Sequence, residues 1–184
     1  ITNTFTQSTE KISVKVNKHW DDNNNQNQKR PSSIKYVLKN GNSVAGEYTA
    51  TGNQTTDNNW SYTFTDLPKY DSHNNEIIYT VEEQEVNKDD LKFYTKQVVG
   101  LNVTNTFTVP NDKIEVQVNK VWDDNSNVNG KRPASIKYVL TGNGLTKEQV
   151  VTGNNTTDAD WNYTFTNLPK YNAQGNEIVY TIDE

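Results

Sequence analysis

Lys18, Glu83 and Asn105 are the residues whose types and placement could do chemistry in this chain. Each sits in a run that alternates apolar and polar side chains, and each interrupts the apolar series. Lys18 lies between Val16 and Trp20, Glu83 follows Ile77, Tyr79 and Val81, and Asn105 lies between Val103 and Phe107. Strand side chains alternate with period two, so no one-residue slip moves these groups outward without exposing the whole apolar face. The spacing therefore predicts a Lys, a Glu and an Asn against one core. A lone buried ammonium or carboxylate costs several kcal/mol, so the three groups are expected to meet.

On the residues alone, three readings of such a cluster stay open. One is a buried Lys–Glu ion pair with the Asn hydrogen-bonded to it. A second puts Lys18 and Glu83 at strand ends, with long side chains reaching solvent. The third is reactive. Burial disfavours charged forms and drives an ammonium–carboxylate pair toward neutral amine and neutral acid. A neutral amine is a nucleophile. A protonated carboxyl can polarise the Asn carbonyl and pass protons to the leaving group. The fold supplies the effective concentration. The product is a Lys18–Asn105 isopeptide bond with ammonia released, formed once per molecule. That is self-modification without turnover, so no enzyme is expected.

The elements that must position these groups read as strands. Ile12, Val14, Val16, Lys18 and Trp20 share one face. Trp60, Tyr62 and Phe64 alternate with Ser61, Thr63 and Thr65, and Leu101, Val103, Asn105 and Phe107 form a further set. Polar stretches at Asp21–Asn27, Asn40–Asn42 and Asp71–Asn75 read as turns, as does Leu67-Pro68-Lys69-Tyr70. Short strands at this spacing without helical interludes predict an all-β protein built of antiparallel sandwiches.

The pattern occurs twice. Val16-Asn17-Lys18-His19-Trp20-Asp21-Asp22-Asn23 returns as Val118-Asn119-Lys120-Val121-Trp122-Asp123-Asp124-Asn125, and Lys29-Arg30-Pro31 as Lys131-Arg132-Pro133. Trp60, Tyr62, Phe64 and Leu67-Pro68-Lys69-Tyr70 return as Trp161, Tyr163, Phe165 and Leu168-Pro169-Lys170-Tyr171. Tyr79-Thr80-Val81-Glu82-Glu83 returns as Tyr180-Thr181-Ile182-Asp183-Glu184, which sets Glu184 opposite Lys120 as Glu83 is set opposite Lys18. Thr2-Asn3-Thr4-Phe5-Thr6 matches Thr104-Asn105-Thr106-Phe107-Thr108, whereas nothing after Glu184 matches Gln84 to Thr108. The expected division is residues 1–8 as the tail strand of a preceding repeat, 9–109 as a first domain, and 110–184 as a second lacking its last strand. Lys120 then has no Asn partner within the chain. Asn3 is the relic of a preceding repeat, and residues 1–6 are expected to fill the vacancy in a neighbouring molecule, bringing Asn3 to Lys120 and Glu184 in head-to-tail association. The short linker Thr108–Asp112, with its one Pro, predicts restricted swivelling.

Composition removes several classes. The 184 residues carry a net charge of −5 with no Lys/Arg cluster, which lacks the footprint of a nucleic-acid binder. No window approaches the roughly 18 apolar residues of a membrane span. The absence of Cys excludes disulfides, thiol catalysis and thiolate metal sites. Ten Tyr, four Trp and five Phe argue against disorder. The runs Asp21–Asn25 and Asp123–Asn127 have a calcium-loop composition, but they lack the glycine and the distal Glu of that motif and read as solvated turns. His19 and His73 have no companion ligands, so neither metal nor cofactor is expected.

The Val-x-Lys-x-Trp-Asp-Asp opening, the Lys-Arg-Pro turn, the Trp-x-Tyr-x-Phe-x-x-Leu-Pro-Lys-Tyr segment, the Tyr-Thr-Val-x-Glu strand and the Thr-Asn-Thr tail together resemble the Cna B-type repeat. That repeat is the stalk module of collagen adhesins and related surface proteins of Gram-positive bacteria. The resemblance implies an inverse immunoglobulin-like sandwich in an extracellular, cell-wall-anchored protein, with an intramolecular Lys–Asn bond assisted by an acid. The family's Lys falls on Lys18 and Lys120, its acid on Glu83 and Glu184, and its Asn on Asn105. The implied function is a spacer whose partners are neighbouring repeats, with a host extracellular-matrix ligand bound by another region. Two alternatives stand beside it. One is a module that itself binds a host matrix protein, and the other is a carbohydrate-binding module of a secreted enzyme with Trp60 and Tyr62 as stacking platform.

Overall fold

Strict alternation along residues 11–21 produces one long strand whose inward face carries Val14, Val16, Lys18 and Trp20, all buried, while Ser13, Lys15, Asn17 and His19 face solvent. The computed structural model describes residues 1–52, 60–153 and 157–184. These fall into two compact units, Ile1–Thr108 and Val109–Glu184.

In the first unit the strands are β1 (Lys11–Asp21), β2 (Ile34–Asn40), β3 (Ser43–Ala50), β4 (Tyr62–Pro68), β5 (Tyr79–Glu85), β6 (Tyr94–Val99) and β7 (Asn102–Phe107). They form two sheets, of order β4-β1-β7-β6 and β3-β2-β5. β1 changes partner along its length. Its first half pairs antiparallel with β4, from Lys11↔Pro68 to Val16↔Tyr62, and its second half pairs parallel with β7. At the changeover the Ser61 hydroxyl accepts the Lys18 backbone N–H at 3.0 Å, satisfying a donor that the β4 ladder has left. Val14, Val16 and Trp20 of β1, Phe64 and Leu67 of β4 and Val103 of β7 pack onto Ile34, Tyr36 and Leu38 of β2 and Tyr79 and Val81 of β5. This is the sandwich expected from the alternation, except that the β1–β7 ladder is parallel where antiparallel pairing was expected.

Residues 1–10 have no regular secondary structure, and Asn3 is exposed. The segment is tied down at Asn74, whose Nδ2 donates to the Thr6 carbonyl at 3.0 Å and whose Oδ1 accepts the Ser8 N–H at 2.8 Å.

The second unit contains β8 (Lys113–Val118), β9 (Ile136–Gly142), β10 (Leu145–Val151), β11 (Tyr163–Pro169) and β12 (Thr181–Asp183), with a single 3-10 turn at Ala159–Trp161 before β11. Its sheets are β11-β8 and β10-β9-β12. Around Trp161, Tyr138, Leu140, Phe165 and Leu168 it rebuilds the core of the first unit, including the Tyr138 hydroxyl donating to the Trp161 carbonyl at 2.8 Å as Tyr36 does to Trp60. Among the described residues, β8 pairs with β11 alone.

Two sequence expectations need correction. Leu67 and Pro68 are the end of β4 and not a turn; Leu67 is buried, and the reversal falls later, where Tyr70 bridges to Glu76. Trp60 precedes β4 instead of opening it, although its side chain is fully buried.

Candidate functional site

Three strands converge on one point of the first core. In the parallel β1–β7 ladder Lys18 stands opposite Val103 and Trp20 opposite Asn105, so all four side chains face the other sheet. From that sheet comes Glu83, which stands beside Tyr36 in the β2–β5 ladder. Lys18 Nζ lies 3.4 Å from Glu83 Oε1, and neither side chain has any solvent exposure. Asn105 is likewise completely buried. The open-ended expectation that Lys18 and Glu83 reach water at strand ends is therefore wrong, because both side chains point into the space between the two sheets and are closed to solvent.

The surroundings are unusual in what they leave undone. Lys18 Nζ donates to the His19 carbonyl at 3.3 Å and sits 3.8 Å from the centre of the Trp20 ring. Neither Glu83 carboxylate oxygen, and neither polar atom of the Asn105 carboxamide, has a hydrogen-bond partner among the described residues. Buried polar groups in folded proteins are nearly always paired. Here a carboxyl is held dry beside an amine, and a carboxamide is buried in the same core, both with hydrogen-bonding capacity unused. The Glu83 charge is felt nearby: burial, then the Glu83 carboxylate, push the Tyr36 phenol well above its ordinary range. From the edge strand β6, Lys96 Nζ donates to the Glu83 backbone carbonyl at 2.7 Å and fixes β5 at this point.

In the second unit Lys120 and Glu184 also meet, at 3.1 Å, but their side chains are 20% and 41% exposed. The expectation that each repeat buries its Lys and Glu is thus corrected for this one. In the first unit Lys18 lies in the ladder with β7, whereas among the described residues no strand pairs with the segment that carries Lys120. Glu184 extends β12 to where Glu83 stands in β5, and its charge, after burial, raises the Tyr138 pKa as Glu83 does that of Tyr36.

Sequence reasoning missed a second cluster beside the site. The Asp21–Asn27 loop was expected to be a solvated turn, yet Asp22 is buried. Its carboxylate takes two bonds from the Arg30 guanidinium, at 2.8 and 2.7 Å, one from the Tyr94 hydroxyl at 3.0 Å and one from the Asn25 N–H at 3.0 Å. The same fork joins Arg132 to Asp124 at 2.7 Å. The signal was available in the joint recurrence of the Asp-Asp and Lys-Arg-Pro motifs.

Over residues 14–106 and 116–184 the sequence matches the Cna protein B-type domain. The chain belongs to this family. Its B-type units are 38% identical over 184 residues to a collagen adhesin of Staphylococcus aureus; the match covers all of this chain and 14% of that protein's length. Among solved structures, a single B repeat unit (B1) of the collagen binding surface protein of Staphylococcus aureus is 35% identical, with 95% of this chain and 85% of that chain covered and a TM-score of 0.45. A two-repeat structure (B1B2) of the same protein has the same identity and TM-score, covering 95% of this chain and 43% of that one.

Proposed function

We propose that this chain is a pair of spacer repeats in the stalk of an adhesin on a Gram-positive cell surface, and that its first unit is stiffened by a self-formed Lys18–Asn105 isopeptide bond assisted by Glu83. The observation that carries this reading is the dry meeting of the Lys18 amine with the Glu83 carboxyl, beside an Asn105 carboxamide whose polar atoms are unpaired.

The chemistry balances within the site. Lys18 passes one ammonium proton to Glu83, which leaves a neutral amine and a neutral carboxylic acid. The amine attacks Cγ of Asn105 while the Glu83 O–H hydrogen-bonds the carboxamide oxygen and stabilises the charge that develops there. Glu83 then takes a proton from the new C–N linkage and delivers one to Nδ2. The Cγ–Nδ2 bond breaks, ammonia departs, and Glu83 ends protonated on the amide product. The fold keeps the reactants together, which removes the entropic cost of the encounter.

Topology supports the mechanical role. β1 and β7 are the first and last strands of the unit and lie parallel and adjacent. A bond from Lys18 to Asn105 carries tension straight from one to the other and shields the core between them from forced unfolding, a process governed by the unfolding rate. Ligand binding is assigned to another region of the parent protein. Saturable binding of collagen by this chain alone would favour the directly adhesive alternative. Intact mass tests the bond itself.

A second reading concerns self-association. Residues 1–6 are exposed, with Phe5 66% accessible, and repeat the sequence of β7, while Lys120 and Glu184 stand partly open. We infer that this segment docks along residues 119–122 of a neighbouring molecule, placing Asn3 against Lys120 and Glu184 by strand addition.

A further inference from the structure

We propose that Trp20 is a positioning residue for the bond-forming step, its indole face, braced by the Asp22–Arg30 ion pair, restricting the Lys18 amine to orientations within the core beside Glu83. This rests on the isopeptide reading of the first unit.

Lys18 Nζ has an acceptor on several sides: the His19 carbonyl at 3.3 Å, the Glu83 carboxylate at 3.4 Å and the Trp20 ring face at 3.8 Å. An ammonium has three protons to place. Once one has gone to Glu83, the carbonyl and the π face hold the remaining two N–H groups. The lone pair then lies on the side of Glu83, within the core onto which Asn105 also faces. Without the ring the amine can rotate about its terminal bond, and productive orientations become a minority.

The ring is itself fixed. Tyr94 and Trp60 pack edge-on to it at 4.9 and 5.3 Å between centroids, and the Arg30 guanidinium lies 5.4 Å from its centre. Arg30 is held by the fork to Asp22 already described. This explains why the two motifs recur together: Asp22 and Arg30 lie outside the reacting triad but set the plane on which the amine rests.

The second unit supplies an independent observation. There Lys120 Nζ stands 4.3 Å from the Trp122 ring, Arg132 stands 5.3 Å from the same ring, and Trp161 packs edge-on at 5.3 Å. The lysine–tryptophan–arginine arrangement therefore recurs in the second unit, carried by segments outside its strands.

The test follows bond formation in the full 184-residue chain made by cell-free synthesis, with translation stopped and aliquots taken for intact mass. Trp20→Phe keeps a π face, whereas Trp20→Leu keeps apolar bulk without one. The expected result is ammonia loss in Trp20→Phe within a few-fold of the parent rate and at least about tenfold slower loss in Trp20→Leu. Equal rates in the two variants overturn the proposal while leaving the isopeptide reading intact; a parent that never loses ammonia overturns both. Folding is controlled in the unreacted Asn105→Ala chain, where proton NMR should find the Lys18 ε-methylene signals shifted upfield by the Trp20 ring current. Their absence from the shifted region would also overturn it.

Discussion

Lys18 Nζ and Glu83 Oε1 lie 3.4 Å apart across the core of the first unit, one from each sheet of the sandwich and both closed to solvent. The pair therefore ties the two layers together, and it places an acid within reach of an amine where water cannot compete for either.

Glu83→Gln keeps the shape of the side chain and removes the proton carrier. It should fold, keep full mass and lose the added stability of the cross-link. Lys18→Ala and Asn105→Ala should also keep full mass. Lys18→Ala additionally strands a carboxyl in the core and should cost about 3–5 kcal/mol in urea unfolding. A cross-linked Glu83→Gln chain would remove Glu83 from the chemistry.

Acid should weaken the first unit through Asp22. Burial alone would raise its pKa, but hydrogen bonds from Arg30, the Asn25 backbone and Tyr94, with the Arg30 charge, hold it below the ordinary aspartate value. A depressed folded-state pKa means stability that is fully present above the unfolded value, about 4, and lost as pH falls through the folded one. Thermal unfolding followed from neutral pH downward should show that acid limb. Asp22→Asn should cost about 1.5–3 kcal/mol at neutral pH and flatten the limb. An unchanged limb would assign the acid sensitivity elsewhere.

Gly52 is required by the tryptophan it touches. A Cβ there would sit 2.4 Å from the Trp60 indole, and Gly153 meets Trp161 at the same distance. Gly52→Ala should therefore destabilise by about 1–3 kcal/mol through overpacking, and calorimetry should show the loss in the first unit only. Gly153→Ala should do the same in the second.

Strand donation predicts covalent oligomers. A denaturing gel of the concentrated chain should show a ladder, and either Asn3→Ala or Lys120→Ala should collapse it to monomer. A single monomer band in the parent leaves no covalent link between molecules.

The strands and the inward placement of Lys18, Glu83 and Asn105 were legible because period-two alternation fixes which face a residue occupies, and each of the three breaks an apolar face in register. The Asp22–Arg30 fork was not. The two residues are separated by a loop in which Asn23, Asn24, Asn25 and Gln28 all take positive φ, and no periodicity runs through such backbone. Asp22, one residue past the end of β1, also continues the inward face of that strand, a clue masked by its place in a run of turn-forming residues. The partial exposure of Lys120 and Glu184 was illegible for a different reason: burial belongs to the assembled layers, and alternation along one strand does not say whether a neighbouring strand is there to cover it. Leu67-Pro68 misled because Pro reads as a turn, while at the last position of an edge strand it is tolerated.

The central claim is a covalent bond, and mass measures it directly. Intact mass of the purified chain, followed by fragmentation of its proteolytic peptides, should give a monomer lighter by one ammonia and a branched peptide joining Lys18 to Asn105. A chain of full mass, with Lys18 and Asn105 recovered in separate linear peptides, would contradict the account.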